Sequence, residues 1–173
     1  MIRLLSGGKP DLELTIQKGT LEDRKKLLSL KNEAMLGDGV DLIYVYSLVD
    51  EVINYPSQDG SIIYIGEAGR ERKTGTRFSQ HISTEENIGG DTGTNFTISR
   101  YYWLGKKLKL EIYVLDSQRN KVARKSIESQ LFQLHLRRFG ALPIGQGASG
   151  DNYKVTLINS LKASDTLASI INA

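Results

Sequence analysis

The sequence contains no cysteine. That excludes a disulfide framework, a thiolate nucleophile and any zinc site of cysteine type. No apolar run approaches the roughly 18 residues that a membrane span requires. The stretch MIRLLSGGKPDLELTIQKG also lacks a sustained apolar signal-peptide core. Together these absences predict a soluble, intracellular chain with no membrane partner. Internal repeats are missing, and so is a large excess of either charge. A net charge of +3 and a pI near 9.0 permit a polyanionic partner without requiring one. The 173 residues suit one domain large enough to bury a core, and 39% hydrophobic content argues against disorder.

The most informative stretch runs from Ile63 to His81, IYIGEAGRERKTGTRFSQH. A strand here would place Ile63 and Ile65 on one face and Tyr64 on the other, with Gly66 and Gly69 allowing a tight turn. Residues 76–82 read as one or two helical turns. Arg77 and His81, four apart, would then share one face, with Phe78 and Ile82 supplying an apolar contact. Tyr64, Arg77 and His81 can therefore converge.

Upstream, residues 11–16 alternate like a half-buried strand, and 21–35 read as an amphipathic helix ended by Gly37-Asp38-Gly39. The β-branched and aromatic run 40–49 predicts a strand with Ile43, Val45 and Ser47 on one face and Tyr44, Tyr46 and Leu48 on the other. Residues 54–60 read as a loop, which would make the two tyrosine-bearing strands an antiparallel pair. Downstream, 83–95 is polar and glycine-rich, 108–115 alternates as a strand, 120–139 is helical up to Gly140, and 155–171 predicts a helix or helix pair. The order of elements indicates a small α+β domain with a short mixed or antiparallel sheet.

On the helix over 120–139, Ser126, Ser129, Gln130, Gln133 and Arg137 form a polar arc, and Glu128 falls nearly opposite it between Leu131 and Phe132. A carboxylate on a semi-apolar face needs a cationic partner, either an arginine or a divalent metal. His135 shares that face and reads first as a packing residue. Arg100 in the aromatic segment 100–103, followed by Lys106 and Lys107, interleaves aromatics with cations as nucleic-acid surfaces do, although a core cluster beside solvated lysines is the reading that ranks first. Gly145 to Gly150 spell GxGxxG, with Asp165 downstream. A helix and Leu142-Pro143-Ile144 precede it rather than the strand a dinucleotide site requires, so the glycines read as a loop.

Leu42-Ile43-Tyr44, then Tyr64-Ile65-Gly66, then Arg77 and His81, and finally Glu128 in IESQLF together resemble the GIY-YIG nuclease family. The likeness spans residues 41–151. Leu42 replaces the first glycine, and Gln146 in PIGQ stands where many members carry an asparagine, with Asn152 as a substitute. The resemblance implies an α+β fold with a three-stranded mixed or antiparallel sheet flanked by helices. Residues 1–173 would form one domain, comprising a strand-plus-helix extension at 1–39, the core at 40–152 and a helical extension at 153–173. It also implies a metal-dependent endonuclease acting on double-stranded DNA, with Glu128 holding Mg²⁺ or Mn²⁺. Arg77 would neutralise the scissile phosphate, Tyr64 would position the phosphate or water, and Gln146 would order its loop. Tyr44 is the expected general base with His81 assisting, and His81 is the alternative base. Arg70, Arg72, Lys73, Arg100, Lys106 and Lys107 are the expected DNA contacts. A restriction-type homodimer in a bacterial or phage-infected cytoplasm is the expected form, ahead of a phage or repair-type nickase and a degenerate binding module.

Overall fold

The computed structural model describes residues 4–18, 22–69, 78–86, 95–146 and 165–172. Its strands are β1 (Leu12–Ile16), β2 (Val40–Leu48), β3 (Ile53–Asn54), β4 (Asp59–Gly60), β5 (Ile62–Gly69) and β6 (Leu108–Gln118). The helices are α1 (Glu22–Ser29), α2 (Phe96–Trp103), α3 (Lys121–Phe139) and α4 (Asp165–Asn172). The α+β class expected from the sequence is observed. Four strands form an antiparallel sheet in the order β1-β6-β2-β5, one strand more than expected. The extra member is β1, which is part of the sheet and no mere extension of it. It pairs with β6 from Leu12↔Ile112 to Ile16↔Leu108, and the Asp11 carboxylate accepts from the Val114 amide at 2.7 Å.

Position in the sheet explains why β2 and β6 do not alternate cleanly in polarity. Both are central strands, so both of their faces are covered, and every residue from Asp41 to Leu48 is buried. The predicted hairpin of β2 and β5 is present, and a small β3–β4 hairpin occupies the segment expected to be a loop. The helix expected over 21–35 is α-helical only as α1 and continues as two 3-10 turns, Leu30–Asn32 and Ala34–Leu36.

One local expectation is corrected. Gly66 and Gly69 do not turn the chain after Ile65, because β5 runs straight through both. Glycine is required here for space. A Cβ on Gly66 would come within 2.5 Å of the Tyr44 hydroxyl oxygen and 2.7 Å of Tyr64 Cε1, and one on Gly69 would come within 2.5 Å of Arg124 Cζ. Gly140, in contrast, does end α3 in the left-handed conformation, with φ +77°.

Strand alternation assigns the layers. Asp41 on β2 and Glu67 on β5 both meet Arg124 of α3, so α3 covers the face carrying Ile43, Val45 and Ile65. The opposite face carries Tyr44, Tyr46 and Tyr64, over which Phe78 and His81 pack. Helices α1 and α2 join this second layer. The Arg24 guanidinium donates to the Ser79 carbonyl at 3.0 Å, and the Tyr102 hydroxyl donates to Asp23 at 3.0 Å. Helix α4 closes against α3, with Leu167, Ile170 and Ile171 buried. No helix among the described residues is long and apolar enough to cross a membrane.

Candidate active site

Tyr44 and Tyr64 come together because their strands are antiparallel neighbours. The register pairs Tyr44 with Gly66 and Tyr46 with Tyr64, which puts the two predicted tyrosines diagonally across one face. Their ring centroids lie 5.9 Å apart. The bare Cα of Gly66 supplies the space for the Tyr44 ring beside it. His81 follows the helical residues 78–80 and lies over the same patch, stacked on Tyr44 at 5.5 Å with 25° between the rings. Phe78 meets Tyr44 edge-on at 5.0 Å, the apolar contact expected beside the histidine. Three of the six predicted catalytic side chains, Tyr44, Tyr64 and His81, thus share one cluster.

The others are distributed as follows. Glu128 is half-buried on α3, one turn beyond Arg124. It belongs to the layer on the far side of the sheet from the tyrosines, with edge strand β5 between. Gln146 lies at that edge, where its side-chain oxygen accepts from the Ile65 amide at 3.3 Å. The Gly145 amide donates to the Ile63 carbonyl at 2.7 Å and the Asn95 amide group donates to the Gly145 carbonyl at 3.1 Å, so this loop covers part of the free edge of β5. Arg77 lies outside the described residues, as do Arg70, Arg72, Lys73, Asn152 and the last glycines of the GxGxxG run. The described sheet is wholly antiparallel and offers no βαβ unit for that run.

Of the expected DNA-contacting side chains, Lys106 donates to Glu51 at 2.6 Å and Lys107 lies 3.9 Å from Asp50. Both lysines therefore have acidic neighbours that locally offset their charge. Arg100 is exposed on α2. His135, expected to be a packing residue, is fully buried between Tyr55 and Phe139, and its Nδ1 donates to the Ala141 carbonyl at 2.7 Å. Burial holds its pKa below the usual histidine value, against the opposing effect of that hydrogen bond.

Comparison with protein-family models, curated proteins and solved structures finds no match for the chain. The site rests on its own geometry.

Two features of that geometry are not anticipated by the sequence pattern. The first is Tyr46, whose hydroxyl lies 3.2 Å from His81 Nδ1. Its position two residues after Tyr44, on the same strand face, is the one signal that points to it. The second is the ion-paired group of Asp41, Arg124 and Glu67, in which Arg124 Nε donates to Glu67 at 2.6 Å and its terminal nitrogen contacts Asp41. Asp41 also accepts from the Ser117 hydroxyl and the Asn120 amide, each at 2.8 Å. These bonds pin the start of α3 to the start of β2, and so fix the helix that carries Glu128.

Burial of Asp41 opposes its ionisation, but the Asn120 amide, Ser117 hydroxyl and Arg124 guanidinium outweigh it and hold the carboxyl below its usual range. A depressed carboxyl contributes stability that is complete above the unfolded-state value, about 3.9, and is lost as pH falls through the lower native value. Asp41→Asn should therefore destabilise the protein by about 2 kcal/mol at pH 7, where it removes one of the two carboxylates that neutralise the buried Arg124 and leaves Glu67 as the other. The deficit should shrink below about pH 3.9, and urea melts at pH 7 and pH 3 would measure both.

Proposed function

We propose that the protein is a metal-dependent endonuclease of the GIY-YIG type, hydrolysing phosphodiesters in double-stranded DNA. The observation that carries this reading is the packing of Tyr44, Tyr64 and His81 in one cluster around Gly66, the glycine of the Tyr-Ile-Gly motif. Motif residues distant in the chain share a patch whose shape depends on the motif's own glycine.

In this reading the DNA backbone lies across β5, with the tyrosine cluster on one side and Glu128 on the other. Tyr44, once its phenol has given up its own proton to solvent under the pull of Arg77 and a bound cation, accepts the proton of the attacking water as a phenolate, while Tyr64 orients the phosphate or the water and Arg77 neutralises the phosphate. Gln146, held on the Ile65 amide, keeps its loop against the edge strand. Glu128 is a half-buried carboxylate with no group of three metal-ligating side chains among the described residues. A hard cation such as Mg²⁺ or Mn²⁺, which retains several waters and needs only one or two carboxylates, is the ion that Glu128 would hold, with waters completing its shell. When bound, such an ion offsets charge on the phosphate and the leaving oxygen. A homodimer would place two such sites on opposite strands.

The test is incubation of the purified protein with supercoiled plasmid and Mg²⁺, beside an EDTA control. Linear fragments in a discrete pattern are expected, and they should disappear with EDTA. Nicked circles alone would replace the dimer with a single-site nickase. Intact DNA accompanied by a mobility shift would overturn catalysis in favour of a binding module.

A further inference from the structure

The hydroxyl of Tyr46 and Nδ1 of His81 lie 3.2 Å apart, and both side chains are buried, at 0% and 5% exposure. Either group could in principle donate. Burial, reinforced by the nearby Tyr64 hydroxyl, raises the Tyr46 pKa far above its usual value, so the phenol keeps its proton. That proton needs an acceptor, and His81 Nδ1 is the partner within reach among the described residues. If Nδ1 itself carried a proton, the buried Tyr46 O–H would be left unmatched, at a cost of about 1–3 kcal/mol. The arrangement with both groups satisfied has the phenol donating and Nδ1 accepting.

We propose that Tyr46 is a positioning residue that locks neutral His81 in the Nε2–H tautomer, so that its Nε2 can only donate a hydrogen bond. The lone pair that could take a proton from water sits on Nδ1 and already receives the Tyr46 hydroxyl. Nε2 carries the hydrogen and has none to offer. Resting on the nuclease reading, this assigns the base role to Tyr44, with His81 orienting it or the substrate. The elements around His81 present Tyr44 and Tyr46 from β2 and Tyr64 from β5, and Arg24 of α1 binds the Ser79 carbonyl two residues before it.

The chain has two histidines, and their contacts imply opposite tautomers. The Ala141 carbonyl can only accept, so His135 must carry its hydrogen on Nδ1. Long-range ¹⁵N–¹H correlation spectra of ¹⁵N-histidine-labelled full-length protein at pH 8 distinguish the two forms, with His135→Gln assigning the peaks. One Nδ1–H and one Nε2–H pattern is expected, the latter from His81. Tyr46→Phe should shift His81 Nδ1 and mix its tautomers while leaving the His135 pattern unchanged. An Nδ1–H pattern for His81 in the wild type would overturn the proposal, as would a His81 spectrum indifferent to Tyr46→Phe. The wild-type spectrum decides the tautomer even if the variant fails to fold. The outcome is independent of cleavage, so failure of the plasmid assay alone would remove the nuclease reading and leave the tautomer measured. With cleavage present, Tyr46→Phe should lower kcat about tenfold at unchanged KM, since the tyrosine is held away from DNA.

Discussion

Gly66→Ala should destabilise the protein by about 3 kcal/mol, the upper range for a buried side chain forced into filled space. The sign is the informative part. Glycine within a strand normally costs about 0.5–1 kcal/mol relative to alanine, so the same exchange at an uncrowded strand position should stabilise. At Gly66 the new methyl carbon would stand 2.5 Å from the Tyr44 hydroxyl oxygen and 2.7 Å from Tyr64 Cε1. One of the two rings must move, and both are held. Tyr44 is enclosed by Phe78 and His81, and Tyr64 by Tyr44 and His81. Gly37→Ala is the control, because its added carbon would meet nothing nearer than the Ala34 carbonyl at 3.4 Å. Urea titrations should give a lower midpoint for Gly66→Ala and a near-native one for Gly37→Ala. Equal midpoints would mean that the tyrosine cluster is not packed around that glycine.

Tyr44→Phe should reduce plasmid cleavage by about 100-fold or more, the loss that accompanies removal of a general base. The phenylalanine ring keeps the stacking on His81 and the edge contact with Phe78, so circular dichroism and the melting midpoint should stay near wild type. Glu128→Ala should lose activity on a similar scale with its fold intact. The two variants differ in their response to metal. Raising Mg²⁺ should not rescue Tyr44→Phe, whereas Glu128→Gln or Glu128→Asp should show a steeper dependence on metal concentration than wild type. Wild-type rates in folded Tyr44→Phe would remove the tyrosine from the chemistry, and wild-type rates in folded Glu128→Ala would remove the assigned metal ligand.

Both variants sit on elements whose existence is legible in the amino-acid pattern. β-Branched and aromatic runs of the right length, separated by a short polar segment, specify an antiparallel pair, and side-chain alternation then puts Tyr44 and Tyr64 on one face. The long helix is equally legible, from its period and from Gly140 at its end. Gly66 misleads, because a glycine after a hydrophobic run signals either a turn or a close approach, and only the neighbouring strand's side chains decide which. Asp41, Arg124 and Glu67 carry no local signal. Each is an ordinary charged residue until β2, β5 and α3 are assembled, and their pairing spans up to 83 positions. The same limit applies to Lys106 and Lys107, whose acidic neighbours Glu51 and Asp50 come from the other side of the β2–β6 pair. Helix phase predicts an inward Glu128, which the structure leaves half-buried, and phase cannot say which side of the sheet the helix will cover.

The pairing of β1 with β6 has a consequence for where this protein can be cut. The motif-bearing stretch begins near residue 41, and a minimal fragment chosen by motif boundaries would discard everything before it. Such a fragment loses the strand that hydrogen-bonds Leu108 to Ile112, leaving an apolar ladder of Leu108, Leu110 and Ile112 open to any other chain. It also loses Arg24, which holds the Ser79 carbonyl just ahead of the site histidine. The autonomous unit is therefore larger than the chemical signature written within it, and fusions or libraries that respect only the signature would produce a sticky, misaligned fragment instead of a smaller version of the same domain.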